Sequence, residues 1–350
     1  MAILFVILIT ILVLIAILHL FANTILNLIF GKRCEGNPNL KYFTADDFEE
    51  LNASKIEFKS DKGQILRGYV YQNNKIKEND IKGLLVFVHG MGAGHFSYTT
   101  EINTLAKNGY KVLAYDNTGT CMSDGKKLNG FYQSVIDLKH CLEYIKTNSD
   151  LNNYNLGLIG HSWGAYTVCQ SLKYESNVKS VIGMSGPDTL EKLVTSSIGK
   201  FGKIINPVLR KMNEKRFGKE ALDSSIDVLK SVGDSVSVLL LHGEDDSTCK
   251  IENSMIFNQD DFKDKENIKS ILFEGKNHNI YQTIESEKYL NEVFKTIEEY
   301  KKELKKDSKN KEIEEKLKMY YKNIDYKKIT EEDQEVMEII IEFFNNTLDI

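Results

Sequence analysis

In Asn155-Leu156-Gly157-Leu158-Ile159-Gly160-His161-Ser162-Trp163-Gly164-Ala165-Tyr166-Thr167-Val168, an apolar run meets a G-x-S-x-G turn and then a segment that reads as a helix. Strand, sharp turn and helix in that order make a nucleophile elbow. The turn is tight enough to force its central residue into a strained backbone conformation. Gly160 and Gly164 keep Cβ atoms out of the crowded flanks. The hydroxyl of Ser162 then stands clear of the sheet and faces a cleft.

Working outward, the same material recurs on both sides. Lys55–Ser60 and Ile65–Gln72 alternate apolar and polar residues around Asp61-Lys62-Gly63, a hairpin signature. Leu84–Val88, Val112–Tyr115, Val178–Met184, Val236–Leu241 and Ile268–Phe273 are apolar runs of buried-strand length. Helical stretches intervene at Tyr98–Lys107 and Tyr132–Lys146. Alternating strands and helices predict an α/β fold with a mostly parallel central sheet.

A serine hydroxyl needs a base to take its proton, and the base needs a carboxylate to orient it. Of seven histidines, His19 lies in an apolar N-terminal run, and His89 and His242 end strands. His95 lies in a loop, His140 on a helix, and His161 beside the serine with its ring directed elsewhere. Only His278 follows the last strand, where the order serine, acid, histidine puts the base. The acid falls between, in Leu240-Leu241-His242-Gly243-Glu244-Asp245-Asp246, and spacing alone admits Asp245 or Asp246.

From about Ile56 to Leu290 the chain resembles the α/β-hydrolase superfamily, in particular its monoacylglycerol-lipase-like and serine-aminopeptidase-like hydrolases. The resemblance implies Ser162 as nucleophile, Asp246 as the acid closing H-G-x-x-D, and His278, in G-x-x-H with Gly275, as base. It maps H-G-x-G onto His89, Gly90, Met91 and Gly92. The backbone N–H groups of Met91 and Trp163 would form the oxyanion hole, with His89, Gly90, Gly160, His161 and Gly164 as motif support. The Trp163 side chain either lines an acyl pocket or packs. In the loop Asp116–Gly125, Thr118 stands where the family has arginine and Cys121 where it has glycine. Asp116 reads as structural.

The resemblance also implies that the insert at about 187–234 is a helical cap over the active site. Apolar residues from Leu190 to Met212 recur at helical spacing, bent or broken near Pro207. The same region is basic: Lys192, Lys200, Lys203, Arg210, Lys211, Lys215, Arg216 and Lys219. A basic amphipathic helix suits an anionic membrane surface, or its lysines are simply solvated. Glu285–Lys305 reads as the closing helix, with two more at Lys311–Met319 and Glu332–Leu348.

Residues 2–30 carry no charged side chain. Such a run is long enough to cross the roughly 30 Å hydrocarbon core. With no basic residue ahead of it and no small-x-small cleavage site, it reads as an uncleaved single-pass transmembrane anchor. Lys32 and Arg33 just beyond it point the body toward the cytoplasm. The expected organisation is an anchor at 1–31, a linker at 32–54, a hydrolase domain at 55–305 containing the cap, and a C-terminal helical extension at 306–350.

The net charge of −5 on 350 residues argues against nucleic acid as partner. Five scattered cysteines without C-x-x-C form neither a disulfide framework nor a zinc site. Cys34, beside the span, is a candidate for acylation or an ordinary thiol, and Cys121 is a reactive or an inert one. The expected activity is a membrane-anchored serine hydrolase acting on a small-molecule or lipid-like acyl ester, thioester or small amide, with no metal or organic cofactor. A peptide-N-terminus hydrolase and a non-catalytic binding scaffold are the alternatives.

Overall fold

The computed structural model describes residues 1–348 except 93, 175, 176, 258 and 309, and the side chains at 200, 201 and 259 also lie outside the description. The chain opens with α1 (Ala2–Phe30). It continues through β1 (Leu51–Lys59), β2 (Ile65–Asn73), β3 (Gly83–Val88), α2 (Thr99–Lys107), β4 (Tyr110–Tyr115) and α3 (Gln133–Thr147). Next come β5 (Leu156–His161), α4 (Trp163–Ser171) and β6 (Val178–Met184). The insert holds α5 (Leu190–Ile198), α6 (Lys200–Phe217) and α7 (Ser225–Ser231). The chain ends with β7 (Ser237–Gly243), β8 (Ile268–Phe273), α8 (Ile284–Lys306), α9 (Lys311–Lys322) and α10 (Gln334–Leu348).

The strands form one eight-stranded sheet in the order β1-β2-β4-β3-β5-β6-β7-β8. The β1–β2 hairpin and the β2–β4 pair are antiparallel, and every pair from β4 to β8 is parallel. All six residues of β3, β4 and β5 are buried, as strands covered on both faces must be. Side chains alternate between those faces. Leu84, Val86 and Val88 meet α3, α4 and α7, whereas Leu85 and Phe87 meet α2 and α10. The predicted closing helix, α8, does not cover the sheet. Val293 and Ile297 of α8 join a satellite cluster with Leu40, Tyr321 and Ile329. It is α10 that seals the second face with Val336, Met337, Ile340, Phe344 and Leu348.

The insert is helical, but α6 runs unbroken through Pro207, and the break falls at Gly199 with φ 67°. Proline's fixed φ is compatible with a helix and its missing N–H removes one bond. Pro207 is on the exposed side, where water can serve the freed carbonyl. Of the apolar positions predicted at helical spacing, the Phe201 side chain lies outside the described residues. The rest of the inner face meets the end of α1: Leu193, Val194, Ile205 and Leu209 share a cluster with Ala22, Ile25, Phe30, Phe131 and Trp163.

Glu101 of α2 is buried, and Glu101 Oε2 and Glu332 Oε1 lack a hydrogen-bond partner. Burial first, and the neighbouring Glu332 carboxylate second, hold Glu101 well above the ordinary carboxyl range. Its folded pKa exceeds the unfolded one, so the native state gains while the group is protonated and loses that gain as pH rises through the folded pKa. Glu101→Gln should therefore melt about 2 °C or more above wild type near pH 8, as ~1 kcal/mol would produce. The difference should shrink to nothing in acid, read by circular dichroism melts across pH.

Candidate active site

Ser162 sits between β5 and α4 with φ 56° and ψ −116°. A side-chain-bearing residue persists there only when its surroundings over-determine it. Two close approaches do so. A Cβ on Gly164 would lie 1.9 Å from the Val88 carbonyl oxygen, and one on Gly160 would lie 2.3 Å from the Gly164 carbonyl oxygen. The Ser162 N–H donates to Met184 O at 2.8 Å, tying the turn to β6.

His278 arrives on the loop after β8, which turns at Gly275 with φ 72°. Its Nε2 lies 3.0 Å from Ser162 Oγ, and its Nδ1 lies 2.8 Å from Asp246 Oδ2. Asp246 is buried and Asp245 exposed, so only the second carboxylate meets the imidazole. Asp246 Oδ1 accepts from the N–H groups of Thr248 and Cys249 at 2.9 and 2.7 Å, and His242 Nε2 lies 3.2 Å from Oδ2. Burial alone would raise this carboxyl. Hydrogen bonds from His242 and His278 outweigh it and hold Asp246 far below the usual carboxylate range. It is an anion at every working pH, and the imidazole therefore carries its proton on Nδ1 and offers Nε2 to the serine.

Two further histidines, His161 and His89, brace the site. His161 Nε2 donates to the carbonyl of His278 at 3.0 Å, which leaves Nδ1 to accept from the Tyr98 hydroxyl at 2.8 Å. That hydroxyl in turn accepts from Gly90 N–H at 3.1 Å. Burial, then the nearby His278, push His161 down to about 3, so the ring stays neutral. His89 Nε2 accepts from Asn117 N–H at 3.0 Å and its Nδ1 donates to Gly90 O at 2.6 Å. The turn at Gly90-Met91 is thus held from both sides. Among the described residues, the backbone N–H groups of Met91 and Trp163 have no hydrogen-bond partner.

Asp116 accepts from His95 N–H at 2.9 Å and from Met122 N–H at 3.0 Å, and contacts His95 Nδ1 at 2.8 Å, a structural role. Thr118 meets buried Asp137 through its N–H and hydroxyl at 2.7 and 2.8 Å. Two guanidinium groups do reach this loop from outside it: Arg33 donates to the carbonyls of Cys121, Ser123 and Gly125 at 2.7, 2.9 and 2.6 Å, and Arg67 to Met122 O and Asp124 Oδ1 at 2.9 and 2.7 Å. Burial pushes the Cys121 thiol up to about 12, so it stays protonated. Sequence reasoning missed the grip of Arg33 on residues 121–125 and the bridge from Tyr98 to His161, which join positions about 90 and 63 residues apart; no local pattern marks either.

A cleft of about 640 Å³ opens over Ser162 and His278. Its walls include Tyr42 and Phe43 from the segment before β1, Met91 and Tyr98 near the elbow, and Leu290 and Phe294 of α8. Among the described residues, none from 187–234 lines it. The resemblance implied a cap over the site; here the insert is drawn aside onto the last turns of α1, and residues 33–43 with α8 wall the cleft instead. Trp163 does not line it either. Its Nε1 donates to Phe131 O at 2.8 Å and its ring packs on Phe131 and Phe30.

A family model described as serine aminopeptidase, S33, matches residues 79–215. Monoglyceride lipase of Saccharomyces cerevisiae is 21% identical over 67% of this chain and 88% of its own. Dipeptidyl peptidase 8 of Mus musculus is 26% identical over 39% of this chain, a match that spans 17% of that protein. The solved esterase of Pyrococcus furiosus superposes with a TM-score of 0.54 at 21% identity, covering 71% of this chain and 90% of that one. Sheet order, elbow and these likenesses agree, and the chain has the α/β-hydrolase fold.

Proposed function

We propose that this protein is a membrane-anchored serine hydrolase that cleaves a lipid-like acyl ester or thioester through an acyl-enzyme on Ser162. The observation that carries the reading is the hydrogen-bonded line from Ser162 Oγ through the His278 imidazole to the Asp246 carboxylate. In the first half-reaction His278 Nε2 takes the serine proton as Oγ bonds to the carbonyl carbon. The negative charge that develops on the carbonyl oxygen is received by the N–H groups of Met91 and Trp163. Collapse breaks the bond to the leaving alcohol or thiol, which takes the proton from His278. Water then repeats the sequence and releases the acid, restoring the serine.

The acyl preference follows from the cleft, whose walls carry Phe43, Leu290, Phe294 and Ile297. Hydrolysis at a peptide N-terminus would require carboxylates free to hold an ammonium. The two acidic residues at the cleft, Glu35 and Glu298, each pair with a cation, Arg33 and Lys301, which argues against that reading. Intact Ser162, His278 and Asp246 argue against a scaffold without chemistry. Anchoring rests on α1, long and apolar enough to span and unburied over its most apolar window. With Lys32 and Arg33 just beyond it, we read the body as facing the cytoplasm.

Labelling with a fluorophosphonate should be complete in the wild type and absent in Ser162→Ala; label persisting in that variant overturns the assignment. Asp246→Asn should keep the fold and lower kcat about 10⁴-fold, the cost of a wrong histidine tautomer. With p-nitrophenyl esters, chains of about eight carbons or more should be preferred, as a roomy apolar cleft requires. Leu290→Trp should raise KM for the long esters several-fold while leaving acetate turnover near wild type.

A further inference from the structure

The junction between α1 and the body contains no slack. Ala2 to Phe21 projects from the body, with Ile3, Leu12 and Leu20 all more than half exposed. At 1.5 Å per residue these roughly 20 residues measure about 30 Å, the thickness of a bilayer's hydrocarbon core. The next turns of the same unbroken helix are fastened to the body along one side: Ala22, Ile25 and Phe30 are buried, while Asn23, Thr24, Asn27 and Leu28 stay exposed. The chain leaving the helix is pinned at once, since Leu128 N–H donates to Lys32 O at 3.1 Å and Cys34 N–H to Gly119 O at 2.9 Å. A body joined in this way cannot stand off from a membrane that α1 spans. Its surface next to α1 must meet the headgroups.

That surface includes α6, which packs beside α1. The buried side of α6 carries Ile205, Leu209 and Asn213. Its exposed side carries Lys203, Ile204, Pro207, Arg210, Lys211 and Lys215, which recur at three- and four-residue intervals and so share one face. Glu214 offsets Lys211 across 3.1 Å, and Glu191 lies near Arg210. A net positive stripe remains on a chain whose overall charge is −5. Ile204 is 59% exposed in its midst, an apolar side chain with no partner in water but a ready one at the headgroup–acyl boundary.

We propose that the basic face of α6 seats on the anionic headgroups of the bilayer that holds α1, with Ile204 dipping into the interface, so that the body is held flush and in one orientation. The proposal rests on the reading that α1 spans a membrane. Its partner is an anionic lipid surface, recognised by multiple cations at helical spacing and one apolar wedge.

The chain has one tryptophan, the buried Trp163, so Ile204→Trp reports on α6 in the full-length protein. In nanodiscs containing about a third phosphatidylserine, brominated lipids should quench the emission of the introduced indole several-fold beyond the wild-type background of Trp163. Quenching should fall at least threefold in phosphatidylcholine discs, and equally when Lys203, Arg210, Lys211 and Lys215 are changed to Glu. Fluorophosphonate labelling of the same samples verifies that these variants are folded. An introduced indole that stays unquenched in anionic discs overturns the proposal, as does quenching indifferent to both lipid charge and protein charge. Carbonate extraction of the chain from the bilayer overturns the anchor reading on which the proposal rests and takes it down too. Loss of labelling in the wild type instead strikes the hydrolase reading alone.

Discussion

The contact between Gly164 and the carbonyl of Val88 is the constraint on which the site depends. No side chain fits between them, so α4 is pulled hard against the end of β3 and the turn before it must be tight. That tightness puts Ser162 in a backbone region that costs about 1–3 kcal/mol for a residue with a side chain. The surrounding sheet, buried on both faces, supplies the packing that holds it there. Once the serine is raised above the sheet edge, the loops after β7 and β8 need only deliver one carboxylate and one imidazole to the same edge.

The delivery is not left to the two loops. A chain of hydrogen bonds runs from Gly90 N–H to Tyr98, from Tyr98 to His161, and from His161 to the carbonyl of His278. It connects the turn bearing the candidate oxyanion donor to the backbone of the candidate base. His161 can serve as that link because burial keeps it neutral, with one nitrogen donating and the other accepting. A charged ring there would present a second donor to Tyr98 and turn the hydroxyl away from its present orientation.

Much of this was legible in the chain itself. Every central strand is an apolar run, and the elbow, the terminal histidine and the acid-bearing loop were each marked by local composition. Asp245 and Asp246 could not be separated by spacing, because burial decides between them and burial is a property of the assembled loop. The cleft walls were not legible at all. Leu40, Tyr42 and Phe43 lie in a stretch without periodicity; Leu40 and Tyr42 pack with α8 across a separation of some 250 residues, and Phe43 lines the cleft beside them. The resemblance to relatives pointed to the insert as a roof, yet its apolar face packs with the end of α1. Arg33 reads from sequence as a topology signal and in the fold is a clamp on three carbonyls.

The packing of Phe30 against Phe131 and Trp163 changes what the N-terminal helix is. One side of its last two turns is core, and it covers the rings immediately behind Ser162. A shortened chain starting after residue 31 would uncover that aromatic nest together with the inner edge of the insert. Such a fragment would be sticky, and loosened beside Ser162. Ala22, Ile25 and Phe30 therefore belong to the folded body, whatever surrounds the residues ahead of them.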